Sequence, residues 1–330
     1  MTTLPQQPDL TSAGKRHLDI RLADDLSLPL TIIRNGQGPA VLVVGGTHGD
    51  EFEGQIAVTR LARAIATEDV RGTLFLMPFH NATACRAGTR LTPDDGSDLN
   101  RLYGRPAGSG PAHRIARFVE TTLLPRIDWV IDLHSGGVAH EFVLSSNVQA
   151  RYPSAEYETM LAPLLAFDAP YSIVFDEVPA LPHMPHGGTL EEAARALGKK
   201  AISSELGGGG RATPQSLAVA ERGLRNLLSH IGVVPSDSAT RPEQSRSRLL
   251  FLGKPEHYVT ITSAGCFAPL VELGAEVRQG DLLGHIENLG AAEAIHAPTA
   301  GIVVALASQG LQQKGNAVIY LADDISRAGI

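Results

Sequence analysis

Two short motifs in this 330-residue sequence contain residues that could bind a metal ion. The first follows the apolar run 40–44 and a Gly45-Gly46 turn, and reads Thr47-His48-Gly49-Asp50-Glu51. The second ends another apolar run, and reads Asp132-Leu133-His134-Ser135-Gly136-Gly137. Two histidines and one glutamate, with a fourth position left for water, are typical of a catalytic Zn2+ site. We therefore predict one Zn2+ per chain, bound by His48, Glu51 and His134.

A purely structural interpretation of the first motif stays open at this point. Asp50 and Glu53 have the types and positions that cap the start of a helix, and His48 would then be an ordinary turn residue. The metal interpretation is favoured because a second strand end supplies another histidine. In open α/β sheets, sites lie just beyond the carboxyl ends of strands, and both motifs occupy that position.

A further carboxylate, Glu205, lies near the end of segment 200–206, which is predicted to be a short buried strand and leads into four consecutive glycines. A glutamate close to a metal-bound water could take its proton and later pass it to a leaving amine. We predict Glu205 as this general base. The alternative is a solvated acid at a strand end, followed by a flexible glycine loop.

Two arginines between the metal motifs are suited to anions, because a guanidinium group binds carboxylates through two parallel hydrogen bonds. Arg101, with Asn100, is assigned to a substrate carboxylate. Arg90 is assigned to the oxyanion that develops on the attacked carbonyl. The alternative is that both arginines only pair with nearby acids.

The elements that must position these residues alternate along the chain. We predict strands near Ile32 and at 40–45, 73–78, 128–133 and 200–205, and helices near 53–66, 112–123, 189–197 and 215–230. This order predicts an α/β fold, with a mostly parallel or mixed sheet and helices on both faces.

The segment 138–186 shows no clear period and is predicted to be irregular and to carry substrate loops. Its histidines and acids are expected to be solvated rather than ligating. They are His140, His183, His186, Asp176 and Glu177, of which the two acids are candidates for binding a substrate ammonium.

The composition changes after Ile231, where a stretch rich in proline and serine resembles a linker. We predict a hydrolase domain at 1–234, a linker at 235–248 and a small β domain at 249–330. In the last segment, short β-rich runs alternate with glycine turns, which is typical of an all-β sandwich or barrel.

Together these motifs resemble the succinylglutamate desuccinylase/aspartoacylase family, which is related to zinc carboxypeptidases. The resemblance covers about residues 15–232, and it implies a zinc carboxypeptidase-like fold with the ligand, acid/base and substrate-contact roles given above. One departure is the segment 91–97, which is longer than in the aspartoacylase pattern. Within the family, the loop at His48 and the strand end at His134 most resemble the branch that deacetylates Nα-acetyl-L-2,4-diaminobutyrate in ectoine degradation.

The tail resembles biotinyl and lipoyl carrier domains. Gly290 stands where those domains present a modified lysine, so there is no amine to attach a prosthetic group. A carrier role is therefore not expected, and the domain is predicted either to frame the active-site mouth or to form an oligomer contact.

Composition restricts the class of protein. A formal net charge of -7, without a basic cluster, argues against nucleic acid. The two cysteines, Cys85 and Cys266, give no disulfide framework, and no apolar run suits a signal peptide or a membrane anchor. A cytoplasmic enzyme is expected. The Gly45-Gly46-Thr47-His48-Gly49 turn lacks the lysine and the glycine spacing of nucleotide-binding loops.

The predicted function is zinc-dependent hydrolysis of a small N-acyl amino acid, most specifically deacetylation of Nα-acetyl-L-2,4-diaminobutyrate. Alternatives are a deacylase of the N-acyl-aspartate or succinylglutamate type and a zinc carboxypeptidase. A metal-free binding protein is the alternative from another class. The expected partner is a small N-acyl amino acid, with neither nucleic acid nor membrane, and a homo-oligomer is compatible with the sequence.

Overall fold

The computed structural model describes residues 9–106, 108–176, 187–235, 247–290 and 292–326. The strands are β1 (Gly14–Arg21), β2 (Ser27–Asn35), β3 (Ala40–Gly45), β4 (Gly72–Met77), β5 (Trp129–His134), β6 (His140–Gln149), β7 (Tyr171–Phe175), β8 (Lys200–Gly208), β9 (Arg248–Leu252), β10 (Tyr258–Thr260), β11 (Gly265–Pro269), β12 (Glu276–Val277), β13 (Leu282–Glu287), β14 (Ala292–His296), β15 (Gly301–Ala307), β16 (Leu311–Gln312) and β17 (Ala317–Asp324). The α-helices are α1 (Phe52–Ala64), α2 (Ala82–Ala87), α3 (Pro111–Phe118), α4 (Ala155–Ala166), α5 (Leu190–Ala196) and α6 (Pro214–Ile231).

One compact unit comprises Met1–His134, Gly187–Ser203 and Ala220–Pro242. Its strands lie in the order β1-β2-β4-β3-β5. β1 and β2 form an antiparallel hairpin, whereas β3 is parallel to both β4 and β5. Gly45 at the end of β3 is the register partner of Leu133 at the end of β5. The loops that follow these two strands therefore leave the sheet at neighbouring points.

The central strands of this unit are apolar because both of their faces are covered. Leu42 and Val44 of β3, and Val130 of β5, are fully buried in its core. Helix α1 packs closely on the ends of β3 and β5, with Gly54 at the contact. A Cβ atom on Gly54 would lie 2.4 Å from the carbonyl oxygen of Leu133. Backbone thus meets backbone where the helix crosses the strand ends.

The other compact unit comprises Ser135–His186, Ser204–Val219 and Glu243–Ile330. In it, β6, β7 and β9 are parallel neighbours, and β17 and β15 continue the sheet with antiparallel pairings. β15 also pairs antiparallel with β6. A separate sheet has the order β14-β13-β11-β16. The α/β prediction with a mixed sheet is thus confirmed, and the tail is built of strands.

The prediction that segment 138–186 is irregular is wrong for its described part. It contains β6, α4 and β7. Strand β6 was not predicted from the sequence because several of its buried residues are polar. Ser146, for example, is fully buried, donates to the Leu164 carbonyl at 3.0 Å and lies 3.1 Å from the Ser172 hydroxyl. Buried serines with such partners remove the apolar alternation by which strands are recognised.

Two residues of this segment that were expected to be solvated have structural contacts instead. His140 begins β6, and its Nε2 donates to the carbonyl oxygen of Ala317 at 3.1 Å. Asp176 is half-buried and accepts from the backbone amide of Tyr152 at 3.1 Å. His183, His186 and Glu177 lie outside the described residues.

In the tail, Gly290 lies between two strands that form a hairpin. β13 and β14 pair antiparallel, and the amide of Gly290 donates to the Asn288 side chain at 2.9 Å. Most of the predicted linker, 236–246, lies outside the described residues, and the division into 1–234, 235–248 and 249–330 stays a prediction. Among the described helices, none has the length and apolar character needed to cross a membrane.

We expect Gly54→Ala to lower the stability of the protein by about 1–3 kcal/mol, because the added methyl group must displace backbone. This is opposite to the usual effect in a helix, where alanine is favoured over glycine by about 1 kcal/mol. Thermal unfolding measures the difference. Gly310→Ala is the matched control, since a Cβ there meets nothing within 4 Å. Equal melting temperatures for the two variants would contradict the close contact.

Candidate metal centre

The three predicted ligands converge in the structure. One ligand atom from each of His48, Glu51 and His134 can be chosen so that all three atoms lie within 4.8 Å of one another. Nδ1 of His48 is 2.6 Å from Glu51 Oε1, and Nδ1 of His134 is 2.8 Å from Glu51 Oε2. All three side chains are buried. Two imidazole nitrogens and a carboxylate therefore face one point beside the ends of β3 and β5.

The backbone of the loop that carries His48 and Glu51 is held by a side chain of α1. Gln55 Nε2 donates to the carbonyl oxygens of Gly49 and Glu51, at 3.0 and 2.9 Å. Glu51 is the N-cap residue of α1, yet its side chain makes no capping hydrogen bond. The N-cap of α1 is thus Glu51 rather than Asp50, and its carboxylate turns toward the histidines. His48 is buried and is not an ordinary turn residue.

The outer nitrogen of each histidine meets a second carboxylate. His48 Nε2 is 3.1 Å from Asp98 Oδ1, and His134 Nε2 is 3.0 Å from Asp132 Oδ2. Such partners fix the orientation of a metal-binding imidazole and direct the lone pair of its other nitrogen. Sequence reasoning assigned no role to these acids. Asp132 could have been recognised, because residues two apart in a strand share a face and His134 is a predicted ligand.

The buried charged groups of the centre shift one another's pKa values. Burial alone would raise the pKa of Glu51, but His48 and His134 hold it well below its ordinary value. Burial would lower the pKa of His134, but Asp132 and Glu51 raise it well above its ordinary value. The buried carboxylates thus stabilise positive charge at this point. A metal ion that binds here would replace a proton on His134.

Arg90, predicted to stabilise an oxyanion, lies beside the ligands. Its Nη1 is 3.5 Å from Glu51 Oε1, and its Nη2 is 3.2 Å from Asp98 Oδ2. The side chain is 42% exposed. The guanidinium is thus anchored by two acids while part of it stays open to solvent.

The longer segment 91–97 does not separate Arg90 from the centre. It folds into a tight turn in which the amide of Thr92 donates to the carbonyl of Ser97 at 2.9 Å. The Thr92 hydroxyl also accepts from the buried side chain of Asn81 at 3.1 Å. The ends of the turn, Arg90 and Asp98, are thereby brought to the same histidine.

Asn100 and Arg101, predicted to bind a substrate carboxylate, lie in the single 3-10 turn Leu99–Arg101, for which Asp98 is the N-cap. Asn100 is buried, with Nδ2 at 3.4 Å from His134 Nε2 and Oδ1 accepting from the amide of Leu190 at 3.0 Å. Arg101 Nη1 donates to the carbonyl of Asn100 at 2.6 Å. The structure therefore places Asn100 against the ligands, with Arg101 next to it in the chain.

Glu205 belongs to the other compact unit, where it is half-buried on β8. The glycines that follow it form a specific structure rather than a flexible loop. The amide of Gly209 donates to the His140 carbonyl at 3.0 Å, and the amide of Gly210 donates to the Gly137 carbonyl at 2.7 Å. A Cβ on Gly208 would lie 2.3 Å from the same His140 oxygen. The role of Glu205 as the general base stays a prediction.

Glu191, on α5, is another buried acid that sequence reasoning missed. A ligand atom of Glu191 lies within 4.8 Å of ligand atoms of both Asp132 and His134. Burial, reinforced by the charge of Asp132, raises its pKa above the ordinary value. Nothing in its helical sequence distinguishes it from the neighbouring Glu192, so only the packing of α5 identifies it.

The residues of the centre fit a zinc ion. The donor set is two imidazole nitrogens and one carboxylate, and both histidines have carboxylate partners on their outer nitrogens. Three protein ligands with one position left for water are typical of catalytic zinc. No cysteine contributes, and Cys85, which lies near Glu51, has a pKa raised to about 12 by burial and by the charge of Glu51.

Comparison with known proteins identifies the family. A family model described as the succinylglutamate desuccinylase/aspartoacylase catalytic domain matches residues 37–231. The chain belongs to this family. The predicted resemblance is thereby confirmed, and the matched range contains His48, Glu51, Arg90, His134 and Glu205.

Individual relatives of the family agree with this assignment. The chain is 34% identical over 292 residues to the N-alpha-acetyl-L-2,4-diaminobutyric acid deacetylase of Halomonas elongata, covering 85% of this chain and 82% of that protein. It resembles the succinylglutamate desuccinylase/aspartoacylase of Rhodobacter sphaeroides, with a TM-score of 0.87, 30% identity and coverage of 97% and 98% of the two chains. It also resembles the product-bound ectoine utilization protein EutE of Ruegeria pomeroyi, with a TM-score of 0.85, 32% identity and coverage of 96% and 98%.

We expect Asp98→Asn to weaken zinc binding by about 10–100-fold, because His48 loses the charged partner that orients it. Competition with a chelator of known affinity measures the change. Asp95→Asn is the matched control, since Asp95 lies in the same turn, is exposed and accepts from the amide of Ser97. Equal zinc affinities for the two variants would contradict the role of Asp98.

Proposed function

We propose that this protein hydrolyses the amide bond of a small N-acyl amino acid, and that its substrate is Nα-acetyl-L-2,4-diaminobutyrate. The observation that carries the proposal is the buried convergence of His48, Glu51 and His134 in a chain of this family. The choice of substrate is supported by the names of two relatives, the Halomonas elongata deacetylase and the Ruegeria pomeroyi ectoine utilization protein.

His48, Glu51 and His134 would hold one Zn2+, through Nδ1 of each histidine and the carboxylate of the glutamate. Zinc bound in this way polarises a carbonyl group and lowers the pKa of water toward neutrality. Asp98 and Asp132 orient both imidazole rings, because each accepts from an outer ring nitrogen, and this would leave Nδ1 of each histidine for the metal.

The remaining residues act on the substrate. Glu205 takes a proton from the attacking water and delivers it to the nitrogen of the departing amine. Arg90 donates hydrogen bonds to the oxygen that becomes negative when water adds to the acyl carbon. Arg101 and Asn100 bind the carboxylate of the amino acid. Water and the amide thus give acetate and L-2,4-diaminobutyrate, with no other product.

We propose that the tail is a biotinyl/lipoyl-like β domain without a carrier function. This is supported by the antiparallel hairpin β13–β14 and by Gly290 at its tip, where no amine is available for attachment. The domain then serves either to frame the active-site mouth or to form a contact between copies of the chain.

The substrate is tested by acetate release from a panel of compounds by zinc-loaded protein. We expect the highest kcat/KM for Nα-acetyl-L-2,4-diaminobutyrate, with N-acetylaspartate and an acetylated dipeptide far behind. Preference for N-acetylaspartate would keep the chemistry and overturn the substrate. Cleavage of the dipeptide at its peptide bond alone would instead indicate a carboxypeptidase.

The separation of metal binding from proton transfer is tested with two variants. We expect Glu205→Gln to retain zinc at the native level while kcat falls by about 100-fold or more, since a general base contributes about 10²–10⁴-fold. His134→Ala should lose both zinc and activity. The exposed residues Glu287 and His296 provide the matched controls, Glu287→Gln and His296→Ala. Native zinc content in His134→Ala would contradict the ligand assignment.

A further inference from the structure

A chain of buried hydrogen bonds runs from Asp132 into the core of the same compact unit. Thr47 Oγ1 is 2.9 Å from Asp132 Oδ1 and also 2.9 Å from His80 Nδ1. The other ring nitrogen of His80, Nε2, is 2.7 Å from the hydroxyl of Tyr103. Each of the four residues is at most 2% exposed. This series of hydrogen bonds begins at Asp132, the partner of the predicted ligand His134. Its other members make none of these hydrogen bonds to the three predicted ligands.

The hydrogen bonds in this series can have only one donor-to-acceptor direction. The two oxygens of Asp132 face two donors, the Thr47 hydroxyl at 2.9 Å and His134 Nε2 at 3.0 Å, so Asp132 accepts at both. The single hydroxyl proton of Thr47 must therefore go to Asp132. His80 Nδ1 must then carry a proton and donate it to Thr47 Oγ1.

The far end of the chain is fixed by the same reasoning. Burial lowers the pKa of His80 to about 4, so its ring is neutral at pH 7 and carries only the proton on Nδ1. Its bare Nε2 must accept from the Tyr103 hydroxyl, which keeps its proton because burial raises the pKa of Tyr103. All the hydrogen bonds thus point from Tyr103 toward Asp132.

At Asp132, the direction of the hydrogen bonds determines which nitrogen of His134 is available to bind a metal. Both oxygens of Asp132 act as acceptors, one from Thr47 and the other from Nε2 of His134. A neutral His134 that is protonated on Nε2 has its lone pair on Nδ1, which is the nitrogen that faces Glu51. The tautomer required for metal binding is therefore stabilised by a chain that ends in the protein core.

We propose that Thr47, His80 and Tyr103 are positioning residues of the metal centre, which hold Asp132 as an acceptor and so fix the orientation and tautomer of His134. The inference rests on the proposed zinc site. It adds three residues to that site, none of which needs to touch the substrate.

The first experiment compares Thr47→Val with Thr47→Ser in zinc affinity, measured by chelator competition. Valine has nearly the shape of threonine without the hydroxyl, whereas serine retains it. We expect Thr47→Val to weaken zinc binding by about 10–100-fold and Thr47→Ser to restore it. Thermal unfolding of the zinc-free proteins is recorded in parallel. Native zinc affinity in Thr47→Val, with only a lower melting temperature, would overturn the proposal in favour of a purely structural role.

The second experiment reads the direction of the hydrogen bonds in the native protein, and variants serve only to assign the signals and to interrupt the hydrogen bonds. Nitrogen-15 shifts of the histidine rings distinguish the two neutral tautomers, and His80→Asn identifies the His80 signals by their loss. We expect His80 to be protonated on Nδ1 in the native protein and to move toward the other tautomer in Thr47→Val, where Nδ1 has lost its acceptor. A His80 protonated on Nε2 in the zinc-loaded protein would overturn the proposal. Failure of the native protein to bind zinc would instead overturn the proposed function.

Discussion

The carboxylate of Glu51 lies between two buried imidazoles, and the rest of the centre depends on this contact. Each of its oxygens faces Nδ1 of one histidine. Buried charge is costly unless it is compensated, and here three acids surround two histidines and one arginine. Asp98 and Asp132 extend the compensation outward to Arg90 and Thr47. The site thus balances buried carboxylates against imidazole, guanidinium and hydroxyl groups, and each histidine is oriented by a carboxylate.

The backbone supports this balance through the parallel pairing of β3 and β5. Because their ends are register partners, a loop after one strand and a histidine at the end of the other meet without long connections. Helix α1 approaches these ends so closely that only glycine fits at the contact. Ligand positions are therefore set by the sheet and by one helix, which are the most rigid parts of such folds.

Much of the fold and of the candidate site could be predicted from the sequence. The meeting of His48 and His134 was predictable, because one apolar run ends shortly before His48 and another ends at His134, and periodicity reveals such runs. The family followed from the order of the motifs, and comparison confirmed it. Strand β6 was not predictable, since polar residues are buried in it and bind across the sheet. The chain Thr47–His80–Tyr103 was hidden for a related reason: its members are 33 and 23 residues apart, and no local pattern links them.

The turn at 91–97 has a consequence for how such enzymes can vary. Hydrogen bonds close it at Thr92 and Ser97, and its tip, including Asp94 and Asp95, is exposed. Arg90 and Asp98 are held at its base by the metal centre itself. The tip can therefore lengthen, shorten or accept an inserted reporter peptide while the residues at its base keep their places. This turn therefore offers protein engineers a segment beside the buried centre. Its length can change without moving the residues that carry the chemistry.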